Sequence, residues 1–292
     1  MNSSGGHLVW ITGAEGFIGS YFLQTARKKG WAFGIPAHEV IGLSRAMLDL
    51  TDSDAVRERF RRDQPALIIH CAALSRSVVC EQEPALARKV NVEVTKLLAD
   101  LAREAAFVFF STDLVFDGRK GWYDETSPVN PLTAYAETKA AAEQIVLENP
   151  RHTVIRTSLN GGISPAGDRS FNEELRRAWR AGKIPRLFVD EFRCPIPAVE
   201  TARTVWELVE RGATGLFHVA GKERLSRWQI GELLAARWPD LQARIEAGSI
   251  RDFQGPPRSA DTSLNCVKVE ILLQRQLPGL TEWLRRHPQE PF

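Results

Sequence analysis

The stretch ITGAEGFIGS, Ile11 to Ser20, constrains the fold of this chain more than any other. An apolar run, HLVWIT, stops at Gly13, and glycines recur at Gly16 and Gly19. Helical spacing then begins at once in FIGSYFLQTARKKG and ends on Gly30, a residue suited to a helix C-cap. Strand, glycine turn and helix together make the opening of a βα unit. Glycines at such a turn let backbone N–H groups approach a pyrophosphate closely, and the helix N-terminus favours the anion. A glycine triplet alone says little; its weight comes from the strand before it and the helix after it. A purely structural turn would use the same glycines. Gly13, Glu15, Gly16, Phe17, Ile18 and Gly19 are therefore the candidate cofactor residues of this turn.

The alternation continues. EVIGLS reads as a second strand, and DSDAVRERFRRDQ as a helix capped by Asp52 or Ser53. PALIIHCAA reads as a third strand and PALARKVNVEVTKLLADLAREA as one long helix. FVFFST, TAYAETKAAAEQIVLEN and HTVIRTS follow as strand, helix and strand. Strands that are apolar throughout are buried on both faces, as in a parallel sheet covered by helices. Repeated βα alternation predicts an α/β fold of the Rossmann type, a doubly wound parallel sheet. After Ser158 the rhythm breaks into a glycine-rich loop, three helical segments and the short pieces RLFVD and LFHVA. The expected organisation is a dinucleotide-binding domain over 1–160 and a smaller mixed α/β substrate domain over 161–292, with some of its segments returning to the main sheet.

The chain has 292 residues, 43% hydrophobic and 25% charged, with 38 basic against 36 acidic side chains. That balance gives no reason to expect a nucleic-acid or membrane partner. Its four cysteines, Cys71, Cys80, Cys194 and Cys266, form no C-x-x-C pair, so neither a zinc site nor a disulfide framework is expected, and the pattern suits a reducing cytoplasm. The leading MNSSGGH is too short for a signal peptide, and no apolar run approaches the ~18 residues that span a bilayer.

The spacing G-x-x-G-x-x-G resembles that of the extended short-chain dehydrogenase/reductase family. In a dinucleotide fold an acid at the end of the second strand binds the ribose 2′-hydroxyl, whereas an arginine accepts a 2′-phosphate. Here Ser44 and Arg45 stand there and no acid does, which favours NADPH over NADH. Asp49 and Leu50 resemble the family's adenine-contacting pair. The resemblance places Cys71, Ala72 and Ala73 along the cofactor and makes Asn91 the helix asparagine that buttresses the active site.

The fourth strand turns abruptly polar at Ser111, Thr112 and Asp113. Ligands of doubly wound sheets bind outside the carboxyl ends of the strands, so this triplet is well placed for chemistry. Tyr135 and Lys139, at i and i+4, share one face of the helix that follows. Hydride delivered to a carbonyl carbon leaves charge on oxygen, which needs a proton donor within reach. A neighbouring ammonium makes tyrosine, with its ordinary pKa of ~10, a better donor. Thr112 would hold the substrate oxygen as a second hydrogen-bond donor. Such Tyr/Lys pairs also arise by chance in helices; this one gains weight by following the glycine turn and the polar strand end in order.

STDLVFDG, YAETKAAAEQIV and VIRTS resemble the dTDP-4-dehydrorhamnose reductase branch of that family, and the similarity spans most of the chain. It implies reduction of the 4-keto group of a nucleotide-linked deoxyhexose, with Thr112, Tyr135 and Lys139 as the catalytic set and Asp113 beside the sugar. A homodimer is the family-level expectation. The departures fall on the substrate side. Leu114 and Leu159 stand where the rhamnose enzymes carry aromatic residues, and DEFRCPIPA replaces their DQxGxPT. The loop ALSRSVVCEQEP, with Ser75 and Arg76, has Val78 in place of an acid. Asn160 joins this substrate group, and Arg76, Arg193 and Arg258 are candidate contacts for a substrate phosphate. Two other readings stay open. One is a cofactor-binding regulatory subunit like that of methionine adenosyltransferase. The other is a nucleotide-sugar epimerase or dehydratase. No metal-ligating residue is singled out.

Overall fold

The computed structural model describes residues 8–27, 39–290 and 292; the cap expected at Gly30 lies outside them. A six-stranded sheet is built from β1 (Val9–Thr12), β2 (Val40–Leu43), β3 (Leu67–His70), β4 (Ala106–Thr112), β5 (His152–Thr157) and a strand farther along the chain, Gly215–Val219. Between the last two lie the short strands β6 (Asn160–Gly161), β7 (Arg186–Phe188), β8 (Phe192–Arg193) and β9 (Ile196–Pro197), so the sixth sheet strand is β10. The order is β10-β5-β4-β3-β1-β2. β1 pairs in parallel with both β2 and β3, and β3 with β4. The order reverses between β1 and β3, the switch point at which open α/β sheets bind ligands.

Helices cover both faces. They are α1 (Phe17–Arg27), α2 (Ser53–Asp63), α3 (Ser77–Gln82), α4 (Pro84–Arg88), α5 (Val94–Leu101), α6 (Ala134–Leu147) and, after α7 (Phe171–Arg180) of the second unit, α8 (Ala198–Glu210). Side chains alternate along β4, and the two faces of the sheet show it. Phe107 and Phe109 join Trp10, Leu43, Val56, Ile68, Leu98 and Val154 in one core cluster. Phe110 points the other way and meets Phe22 of α1 edge-on at 5.4 Å, and Phe22 in turn meets Trp206 of α8 at 5.6 Å. Both buried indoles satisfy their N–H: Trp10 donates to Asp63 at 3.1 Å and Trp206 to Thr25 at 3.0 Å. At α2 the cap is Asp52, whose carboxylate accepts from the N–H groups of Asp54 and Ala55.

Two sequence expectations need correction. Residues 73–84, read as a loop, contain α3. The single long helix expected over 84–105 carries a π turn at Lys89–Glu93 between α4 and α5. Neither shows in apolar periodicity, because α3 is too short to display a face and a π turn adds one residue without breaking the helix.

The chain forms two compact units. The first comprises Met1–Ser111, Thr133–Ile155 and Ala202–Phe217, and holds most of the sheet. The second comprises Thr112–Leu132, Arg156–Thr201 and His218–Phe292. It adds β11 (Leu225–Ser226), α9 (Arg227–Arg237), β12 (Glu246–Gly248), α10 (Val267–Leu273) and α11 (Leu280–Arg286). Its small sheets pair β7 with β12, β8 with β11 and β6 with β9. Their core gathers Leu175, Trp179, Leu187, Ile230, Leu234, Trp283 and Phe292. No described helix is long and apolar enough to cross a membrane.

Candidate active site

The glycine turn leaves β1 at the switch point. Gly13 has φ +65°, and a Cβ there would lie 2.8 Å from the Cα and N of Ala72, just beyond β3. A side chain at that position would both strain the backbone and collide with the neighbouring strand end. The Gly16 N–H closes the turn onto the Gly13 carbonyl at 2.8 Å, and a Cβ on Gly16 would stand 2.9 Å from that oxygen. A Cβ on Gly19 would press on the Gly13 carbonyl and on Ala14. Glu15 and Gly16 are exposed, while Phe17 and Ile18 are half-buried.

The end of β2 places Ser44 inside and Arg45 outside, with the Arg45 side chain 89% exposed and 3.9 Å from Asp49. Asp49 fastens the turn before α2 by accepting from the Thr51 N–H at 2.9 Å and the Thr51 hydroxyl at 2.8 Å. These bonds hold its carboxyl below the usual range. Leu50 packs against the main core. Beyond β3, Cys71, Ala72 and Ala73 are half-buried, and Ser75 and Arg76 are exposed. Burial pushes the Cys71 thiol far up, so it stays protonated.

Thr133 caps α6 by accepting from the Ala136 N–H at 3.3 Å, and the Ala134 N–H donates to Glu81 at 2.7 Å. Tyr135 is half-buried in the first turn. Lys139, one turn on, is only 3% exposed, with its Nζ 3.9 Å from the centre of the Phe109 ring. Burial pushes the amine down to about 7, against the opposing pull of Glu143. Asn91 lies in the π turn and clamps the segment after β3. Its Oδ1 accepts from the Leu74 N–H at 2.8 Å, and its Nδ2 donates to the Leu74 carbonyl and to Thr138, each at 3.0 Å.

In the second unit the polar end of β4 is anchored by charge. The Thr112 hydroxyl donates to Asp113 at 3.3 Å and accepts from the Leu114 N–H at 3.2 Å. Asp113 is fully buried and receives Nε of Arg193 at 2.6 Å, Ser158 at 2.6 Å and Thr262 at 3.1 Å. Arg193 Nη2 completes a two-pronged contact with the same carboxylate. Burial acts to lower the Arg193 pKa, but Asp113 and Glu191 outweigh it and raise it. Glu191 is in turn gripped by Arg227 at 3.0 Å and Arg258 at 2.7 Å. Burial opposes its charge, yet these arginines hold the Glu191 carboxyl down at about 2. The sequence reading pointed Arg193 and Arg258 at a substrate phosphate; in the structure both are engaged by buried carboxylates. Leu114 and Leu159 are half-buried, and Asn160 bonds Thr157 at 2.9 Å and Thr201 at 2.6 Å. Ser158, Glu191, Arg227 and Thr262 escaped sequence reasoning, because no spacing links them. Among the described residues no group of acidic, His or Cys side chains could hold a metal ion.

The sequence matches the RmlD substrate binding domain family over residues 7–289. The chain belongs to this family. A probable low-salt glycan biosynthesis reductase, Agl14 of Haloferax volcanii, is 30% identical over 284 residues, covering 90% of this chain and 91% of its own length. Methionine adenosyltransferase 2 subunit beta of Rattus norvegicus is 28% identical over 282 residues, covering 90% and 82%. Among solved structures, a dTDP-4-dehydrorhamnose reductase from Clostridium acetobutylicum superposes with a TM-score of 0.86 at 26% identity, over 95% of this chain and 97% of that one. The dTDP-4-dehydrorhamnose reductase of Bacillus anthracis, solved in complex with NADP, shares the fold with a TM-score of 0.86 at 23% identity, over 96% and 98%. This RmlD-family chain therefore carries the Rossmann-type architecture of these proteins over nearly its whole length.

Proposed function

We propose that this RmlD-family chain is an NADPH-dependent reductase of a carbonyl, the 4-keto group of a nucleotide-linked deoxysugar. The observation that carries the reading is Lys139. It is an amine buried beside a sheet whose switch point holds the glycine turn, one helical turn from Tyr135. Burying an amine is costly, and a site that uses its charge gives a reason for it. The three glycines keep the mouth of the turn free of Cβ atoms, which fits a pyrophosphate, and exposed Arg45 fits a 2′-phosphate. When bound, NADPH supplies the hydride. Tyr135 gives its phenolic proton to the carbonyl oxygen. The Lys139 ammonium stabilises the tyrosinate left behind, and the Thr112 hydroxyl turns its one proton from Asp113 to the same oxygen. The resemblance to reductases at 30% and 26% identity supports this choice of chemistry.

The test is NADPH oxidation with a panel of 4-keto sugar nucleotides. Tyr135→Phe should lower kcat by about a hundredfold or more, the scale of general acid catalysis. Unchanged turnover would sink the assignment. The relation to methionine adenosyltransferase 2 subunit beta, at 28% identity, favours a second reading, a cofactor-binding subunit of another enzyme. Stoichiometric capture of an enzyme partner, together with no turnover on any carbonyl, would favour it.

A further inference from the structure

His70 ends β3 and is almost completely buried, with its ring tilted against Phe107 and Phe109. The reductase reading gives it no role. Its Nδ1 lies 2.7 Å from the Thr12 hydroxyl and its Nε2 lies 3.1 Å from the Thr95 hydroxyl. Every proton along this line can be placed. The Thr95 hydroxyl donates to the Asn91 carbonyl at 2.7 Å, and a carbonyl can only accept. Thr95 Oγ1 is therefore free to accept, which puts the imidazole proton on Nε2. The Nδ1 of a neutral ring is then an acceptor, so Thr12 donates to it. Thr12 Oγ1 in turn accepts from the Ala72 N–H at 3.3 Å.

The line runs on past Asn91. The Asn91 amide donates to Thr138 at 3.0 Å, and the Thr138 hydroxyl donates to the carbonyl of Tyr135 at 2.7 Å. One set of hydrogen bonds thus joins Thr12, the residue before Gly13, to the backbone of Tyr135. It passes through a single ring and the π turn. Protonating the ring would set a second N–H against the Thr12 hydroxyl, which would have to turn its own proton away and give up the bond to Nδ1. The Lys139 ammonium also opposes protonation. Burial first and Lys139 second push the His70 pKa down to about 3.

We infer that His70 is a positioning residue, locked as the neutral Nε2–H tautomer, that couples the glycine turn to the π turn and to Tyr135. The inference rests on the reductase reading for its effect on turnover, while the lock itself is read without turnover. Long-range proton–nitrogen correlation on the 15N-labelled full chain, with the signal assigned through His70→Gln, should show a neutral Nε2–H ring from pH 7 to 5. An Nδ1–H ring, or titration near the ordinary ~6.5, overturns the lock. In steady-state kinetics normalised to NADPH-binding sites, His70→Leu should lower kcat by about tenfold to a hundredfold with the KM for NADPH unchanged. His70→Gln, which can accept from Thr12 and donate to Thr95, should recover most of it. A merely structural ring would cost stability but leave the normalised kcat alone, and that result overturns the coupling. A wild type idle on every carbonyl sinks the reductase reading and the coupling together. An active wild type with a normal His70→Leu variant sinks only the coupling.

Discussion

Lys139 and Arg45 show what single residues contribute. Lys139 has a folded pKa of about 7, against ~10.4 for a free lysine. Between those values the unfolded chain binds more protons than the folded one, so this group makes stability rise as pH climbs through that window. Below the window the penalty for burying the charge is complete. Lys139→Met should therefore raise the Tm of the nucleotide-free protein most at pH 6, with the advantage shrinking toward pH 10. Each kcal/mol would appear as about 2–4 °C. A Tm difference that stays constant across that range would contradict the burial argument. Arg45 is the opposite case, an exposed charge whose value lies in what it meets. Arg45→Ala should weaken NADPH binding by roughly tenfold or more, the scale of a charge-assisted hydrogen bond, and leave NADH binding alone. Fluorescence titration with both nucleotides decides it; equal losses would remove the reason to prefer NADPH. Both residues were legible as candidates in the sequence. The depressed pKa of Lys139 was not, because it comes from burial beside Phe109, a neighbour 30 positions away.

At the scale of elements, the start of α7 carries its own pH dependence. Ser170 and Glu173 form a capping box. The Glu173 carboxylate also straps the preceding loop, accepting from the N–H and hydroxyl of Ser164 at 2.7 and 2.8 Å and from the Arg169 N–H at 2.9 Å. Burial opposes its charge, but these bonds outweigh burial and lower its pKa. A lowered carboxyl stabilises the fold above its ordinary pKa and loses that contribution as pH falls through its folded value. Glu173→Gln should cost about 1–3 kcal/mol at pH 7, and the gap to wild type in urea melts should close below pH 4. A gap independent of pH would mean that the strap does not depend on charge. The cap was readable, since Ser-x-x-Glu before an apolar face is a local pattern. The loop strap was not, and neither was the π turn. The latter is a matter of backbone hydrogen bonding over Lys89–Glu93, which apolar spacing does not report.

For the molecule as a whole, what matters is which distant segments meet. Asp113, Ser158, Glu191, Arg193, Arg227, Arg258 and Thr262 form one buried charge network within the second unit. Breaking such a pair from one side strands a charge, at a cost of about 3–5 kcal/mol. Arg193→Met should therefore be strongly destabilising in denaturant melts. Adding Asp113→Asn should recover much of the loss, giving a large coupling energy in the double-mutant cycle. Additive losses would show that the pair is not coupled. The sequence by itself determined the alternating α/β architecture, the glycine turn and the Tyr135–Lys139 spacing. These depend on local chemistry: apolar runs that must be buried, glycines where a Cβ collides, and a helix that brings i and i+4 to one face. Only the tertiary structure decided that Arg193 and Arg258 serve buried carboxylates, that residues 73–84 hold a helix, and that His70 links Thr12 to Thr95. Those facts depend on which side chains far apart in the chain share a desolvated space, where an unpaired charge or lone pair is too costly to leave.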